Sequence, residues 1–182
     1  MEIIKSDIIT KKGVFVGYSQ VQGIAKETID YIKTVITIDL SPQRDNIWGD
    51  YARTIILEDG IVVESIEDIS NTEWRNWLLM EEKLHMEMKN FVTKSTTFEE
   101  LYFHMNDYIN KNGYINLDFI GNLGHSIVKV KDDRVYIEKG NAMKLSEAAM
   151  FTFEPHISIK GSKYGYKKEN IYYFAEDEIK EL

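Results

Sequence analysis

Asp39 and Asp50 are two carboxylates eleven residues apart in the stretch VITIDLSPQRDNIWGDYARTIIL. The stretch reads as a β-hairpin: a β-branched run, a polar tip holding Ser41, Pro42, Asp45 and Asn46, then a second apolar run. A tip between Arg44 and Asp45 would set Asp39 directly opposite Asp50. Opposed side chains in a hairpin lie about 5 Å apart. Two carboxylates at that distance repel by roughly 3 kcal/mol at an effective dielectric near 20, more than the ~0.2–1 kcal/mol a good cross-strand pair returns. Something cationic belongs between them. A hard divalent metal is the economical choice, since oxygen ligands suit Mg, Mn or Ca and carboxylates also serve Zn and Fe. From the hairpin alone, a one-residue slip of register or two aspartates facing water remains the alternative.

Three later residues can join the pair. His125 stands in GHSIV at a loop-to-strand junction, Glu154 in FTFEP, and Glu169 in the last long strand, YGYKKENIYYF. Singly, a strand glutamate is an ordinary solvated edge residue. Together the five supply four carboxylates and one imidazole, a set suited to two neighbouring divalent ions. Such a pair turns water into hydroxide at neutral pH and clamps the oxyanion of a hydrolytic transition state. His156, two residues after Glu154, falls on the same strand face and reads either as a second catalytic group or as a rim residue.

The elements that must position these groups are strands at both ends and helices between. Gly13–Ser19 is a short strand candidate, Ala25–Lys33 is weakly periodic, and Gly60–Ile66 is extended. Asn71 or Thr72 caps a helix on which Trp74, Trp77, Leu78, Leu84, Met88 and Phe91 share a face to about Val92, a stripe that reads as core packing. Thr97 with Glu100 forms a capping box, and Phe98, Leu101, Tyr102, Met105, Tyr108 and Ile109 follow at helical spacing to a glycine stop at Gly113. His85 and His104, on these two helices, read as surface or boundary residues. Strands resume at Ser126–Val130, Arg134–Glu138, Met150–Ile159 and Tyr164–Phe174.

The 182 residues suit a single domain spanning 1–182, with 43% hydrophobic and 29% charged residues. A formal net charge of −8 argues against nucleic acid or an anionic membrane as partner. With no cysteine, disulfides, thiolate zinc sites and thiol nucleophiles are excluded. Early charges and the lack of any apolar run near the ~20 residues of a membrane span predict a cytoplasmic protein.

On these residues the chain resembles the M24 metallopeptidases of pita-bread fold, which include methionine aminopeptidase, Xaa-Pro aminopeptidase, prolidase and creatinase. The matching pieces are IDLSPQRDNIWGDYARTI, GNLGHSI, MFTFEPHISI and GYKKENIYYF, and the helix running into Lys111-Asn112-Gly113-Tyr114. The resemblance implies an α+β fold with a curved, mostly antiparallel sheet, helices on its convex side and metals in its concave face. It implies two divalent ions (Mn, Co, Zn or Fe), with Asp39 on the first, Asp50 and Glu169 bridging, and His125 and Glu154 completing the second. Glu154 would shuttle the proton of a metal-bridging hydroxide. The implied substrate is a peptide or small amide, and the short Glu154–Glu169 spacing with Arg53-Thr54 looks more like the Xaa-Pro branch.

The departures are as informative. No histidine lies in Gly13–Ile38, the place of the family's second histidine falls near Asp132, Ser126 and Val128 replace glycines, and Lys167 and Asn170 replace the Arg and Asp flanking the last glutamate. A catalytically weak relative acting as a binding module is therefore the alternative. The chain also looks N-terminally shortened, lacking one of the family's helix pairs. A homodimer or a partner chain is expected to cover the N-terminal half of the sheet.

Overall fold

The computed structural model describes residues 33–44 and 47–182. The strand expected at Gly13–Ser19, most of Ala25–Lys33 and the hairpin tip Asp45–Asn46 lie outside the described residues. Strands β1 (Thr34–Leu40) and β4 (Tyr51–Glu58) form the expected hairpin, extended by the short strands β2 (Gln43–Arg44) and β3 (Ile47–Trp48). Its register differs from expectation. Asp39 pairs with Ala52, not with Asp50, and the ladder continues outward through Gln43–Trp48 and Arg44–Ile47. The pairs Asp39–Ala52 and Arg44–Ile47 share one register, shifted by two residues from the one that would set Asp39 against Asp50. A two-residue shift preserves which face each side chain takes, so Asp39 and Ala52 still share one.

Beyond the hairpin come β5 (Ile61–Val62), helices α1 (Thr72–Phe91) and α2 (Phe98–Lys111), then β6 (Tyr114–Asn116), β7 (Phe151–Phe153), β8 (His156–Ile159), β9 (Tyr166–Ala175) and β10 (Glu178–Glu181). The main sheet runs β1-β4-β9-β8-β6, with β5 added to β4, and β7 and β10 added to β9. Every pairing among the described residues is antiparallel. Both helices start as their sequences dictate. Asn71 accepts hydrogen bonds from the backbone N–H groups of Glu73 and Trp74, and Thr97 and Glu100 cap each other reciprocally. The expected stripe is core: Trp74, Trp77, Leu84 and Met88 are buried, with Phe98, Leu101, Met105 and Ile109 from α2. No helix among the described residues is long and apolar enough to cross a membrane.

β9 has neighbours on both edges, and its side chains alternate in role. Tyr166 stacks on Trp77 with ring centroids 4.4 Å apart, Lys168 pairs with Glu82, and the Tyr172 hydroxyl meets His85, so these residues face α1. Lys167 and Glu169 take the opposite face, as a period of two requires. His85 is therefore buried, only 2% exposed, and not the surface or boundary residue expected. Its Nε2 donates to the Lys168 carbonyl at 3.1 Å and its Nδ1 accepts from Tyr172 at 2.7 Å.

Four expected extended segments are reshaped. Met150–Ile159 divides into β7 and β8 around Glu154-Pro155, because proline cannot donate to the ladder. Phe153 faces Asn170 and His156 faces Lys167, so one register continues across the break. Ser126–Val130 and Arg134–Glu138 are not strands, and only isolated bridges join His125 to Tyr136 and Ser126 to Phe151. There the Ser126 hydroxyl accepts the Val135 N–H at 3.0 Å, taking the place of a backbone acceptor. Gly60–Ile66 pairs only at β5 before a 3₁₀ turn, Ile66–Asp68.

Gly124, just before His125, has φ +139, and a Cβ there would lie 2.2 Å from the Thr152 carbonyl oxygen. Gly124→Ala must push the His125 segment off β7, at a cost of about 1–3 kcal/mol or more. The variant should melt several degrees below the parent in a thermal scan, and equal melting temperatures would show that the segment yields freely.

Candidate metal centre

The face of β9 turned away from α1 carries the centre. Asp39, Ala52 and Glu169 form one row across β1, β4 and β9, since Ala52 pairs with both its neighbours. Ala52 is fully buried and its methyl group leaves room between the carboxylates. Asp50 precedes Ala52 by two residues at the mouth of β4. His125 arrives from the segment bridged to Tyr136, and Glu154 from the Pro155 break, at the register position across from Glu169.

Asp50, His125 and Glu169 converge, each buried, with ligand atoms within 4.8 Å of one another. His125 Nδ1 donates to the Ser126 carbonyl at 3.0 Å, which turns Nε2 toward Asp50 Oδ2 at 3.4 Å. A backbone partner of this kind fixes the tautomer of a metal-binding imidazole. Asp50 also accepts from the Ser41 hydroxyl at 2.8 Å and stands 3.4 Å from Arg134 Nη2. Burial raises its pKa, but the bonds from His125 and Ser41 outweigh that and hold it below the usual carboxylate value.

Glu169 is in a different condition. Neither of its carboxylate oxygens has a hydrogen-bond partner among the described residues, although the side chain is buried. Burial, then Glu154 and Asp50, push its pKa up to about 9. A buried carboxylate without partners is costly. Two oxygens and an imidazole nitrogen in one buried pocket fit a divalent cation, and such an ion satisfies the orphaned oxygens.

The two remaining expected residues meet a different partner. Lys167 Nζ lies 2.9 Å from Asp39 Oδ2 and 2.7 Å from Glu154 Oε2. Burial alone lowers the pKa of this ammonium, but Glu154 and Asp39 raise it above that of an ordinary lysine. Asp39 is half exposed, while the other oxygen of Glu154 faces His125 Nε2 at 3.8 Å. His156 is not on one continuous strand with Glu154. It lies across from Lys167, with Nδ1 3.9 Å from Asp118 Oδ1.

An open cavity of about 350 Å³ adjoins Glu154, lined by Asp118, Phe119, Ile120, Asn122, Tyr136 and Glu138. Sequence reasoning missed Asp118, whose pKa burial pushes up to about 6 against the pull of Lys167. It missed Arg134 and Tyr136 as well. Tyr136 stands edge-on to His125 at 5.9 Å. No spacing rule marks residues brought in by an irregular segment.

The family model of metallopeptidase family M24 matches residues 18–176. Solved structures of the same fold include a prolidase from Thermococcus sibiricus, at 19% identity and TM-score 0.64, covering 81% of this chain and 37% of that one. An X-Pro aminopeptidase from Thermotoga maritima gives 20% identity and TM-score 0.64 over 81% and 38% of the two chains. A methionine aminopeptidase from Thermotoga maritima gives 11% and 0.62 over 81% and 62%. The chain thus spans under two-fifths of the prolidase and X-Pro aminopeptidase chains and about three-fifths of the methionine aminopeptidase. A sequence comparison with curated proteins finds no match. The fold is the curved, mostly antiparallel pita-bread arrangement.

The His85 buttress behind β9 sets a pH dependence. Burial, followed by Lys168, lowers its pKa from 6.5 to about 3. Between these values the unfolded chain binds the extra proton, so stability is present above 6.5 and falls as pH drops. In urea titrations the parent should lose about 2 kcal/mol more than His85→Gln between pH 7 and pH 5. Parallel losses would mean that His85 charges freely in the fold.

Proposed function

Because the chain belongs to metallopeptidase family M24, we propose that it is a metal-dependent peptidase cleaving an amide bond at a peptide N-terminus, in the style of Xaa-Pro peptidases. The observation that carries this reading is the convergence of Asp50, His125 and Glu169, with both Glu169 oxygens unsatisfied. A divalent ion held there supplies Lewis acidity and lowers the pKa of water. The chain's own residues do the rest. Glu154, whose Oε1 faces His125 while Lys167 fixes Oε2, takes a proton from the attacking water. The water oxygen adds to the scissile carbonyl carbon, the C–N bond breaks, and Glu154 returns the proton to the leaving nitrogen. His156, whose Nδ1 lies 3.9 Å from the cavity residue Asp118, orients the substrate.

A second reading has its own support. The place of the family's second histidine, near Asp132, is an exposed 3₁₀ turn at Lys131–Asp133. A weak or silent binding module would retain the ion without turnover.

Xaa-Pro and Met-Xaa peptides, assayed with Mn²⁺ and with chelator, separate the two readings. Metal-dependent release of the first residue is expected, with Glu154→Gln lowering the rate by about 10²–10⁴ while the ion stays bound. Metal binding without turnover would favour the module.

We place the reaction in the cytoplasm, where a chain without cysteine needs no oxidising conditions. Tyr51, Ile61 and Val62 are exposed on the hairpin side of the sheet, which supports a second copy or partner chain there. Light scattering should return a dimer mass, and a monodisperse monomer would remove that proposal.

A further inference from the structure

Of the five residues expected to hold two ions, only three are turned toward a common point. Asp50, His125 and Glu169 converge within 4.8 Å. Asp39 and Glu154 converge too, but on the nitrogen of Lys167, at 2.9 and 2.7 Å. These are charge-assisted hydrogen-bond lengths. An ammonium and a divalent ion cannot share that position, because both sterics and like charge forbid it.

The placement of Lys167 is built into the fold. It lies two residues before Glu169 on β9, so the strand's alternation sends both side chains to the same face. Its backbone N–H donates to the Thr54 hydroxyl at 2.8 Å, and the same hydroxyl donates to its carbonyl at 3.3 Å. The side chain is only 15% exposed. The ammonium therefore has fixed partners on β1 and at the Pro155 break.

We propose that Lys167 is a built-in cation occupying the second position of the centre, so that the chain carries one divalent ion, held by Asp50, His125 and Glu169. The inference rests on the metal-centre reading given above and changes its stoichiometry. Asp39 then serves as a counter-ion for Lys167. Glu154 keeps one oxygen on the ammonium and presents the other to the ion and its water. The distribution of charge follows: four carboxylates are met by one divalent ion, the Lys167 ammonium and the Arg134 guanidinium beside Asp50.

The test is metal stoichiometry. Protein loaded with MnCl₂ and desalted is analysed for manganese per chain and by electron paramagnetic resonance. The parent should hold one ion, with the hyperfine pattern of isolated Mn(II). Lys167→Met should hold two and show the spectrum of a spin-coupled pair. Asp39→Asn should still hold one, and His125→Ala none. Two coupled ions in the parent would overturn the proposal while leaving the metal-centre reading intact. No ion in the parent would overturn both. A single ion in a folded Lys167→Met would show that the ammonium is not what excludes the second. Loss of the ion in Asp39→Asn, which changes a half-exposed side chain and keeps its shape, would make Asp39 a ligand and overturn the assignment even if Lys167→Met fails to fold.

Discussion

Like charges brought together out of water set the terms for the rest of this structure. Asp50 and Glu169 are buried, and Glu154 lies across from Glu169. In a medium of low dielectric such groups repel strongly unless positive charge or hydrogen bonds intervene. Each carboxylate meets that demand in its own way. Asp50 has Ser41, Arg134 and His125; Glu154 and Asp39 have Lys167. Glu169 has none of these. The metal reading starts from this asymmetry, because the group least provided for by the protein is the one at the centre of the cluster.

β9 reconciles a dry core with this wet chemistry. One face of the strand is aromatic and presses on α1 through Tyr166 and Tyr172, while the other presents Lys167 and Glu169. The two faces are linked by backbone rather than by side chains. His85 holds the Lys168 carbonyl from behind, and Arg53 donates to the Glu169 carbonyl and to the Asn170 side chain. Rigid packing on the helix side thereby sets where the charged side chains point.

The parts of this fold that were legible in sequence are those fixed by local periodicity. The capping box at Thr97, the Trp and Met stripe of α1 and the long last strand all follow from spacing alone. The hairpin was legible as an element but not in register, because its polar tip offers two adjacent centres and only pairing chooses between them. The segments around His125 misled more. Ser126–Val130 and Arg134–Glu138 have strand composition, yet a serine hydroxyl stands in for one rung and the pairing stops at single bridges. His85 was misjudged because a lone imidazole among charged neighbours gives no sign of the tyrosine and carbonyl that receive it from β9. For the centre, residue types and order named the acids and the imidazole. They did not reveal that Lys167, noted only as a replacement for arginine, would stand between two of them.

The ladder joining the hairpin to the remainder of the sheet is short. Among the described residues only Ala52–Glu169 and Arg53–Lys168 pair across it, whereas β1 and β4 share seven rungs. Packing of Ile56 and Leu57 continues further along β4, but at the centre itself the two parts meet along a narrow seam. The Asp39–Lys167 pair crosses that seam, and any ion shared by Asp50 and Glu169 crosses it as well. The chemical centre is therefore also a mechanical rivet. Charge neutralisation there fastens together two pieces of sheet that backbone hydrogen bonding alone leaves loosely stitched.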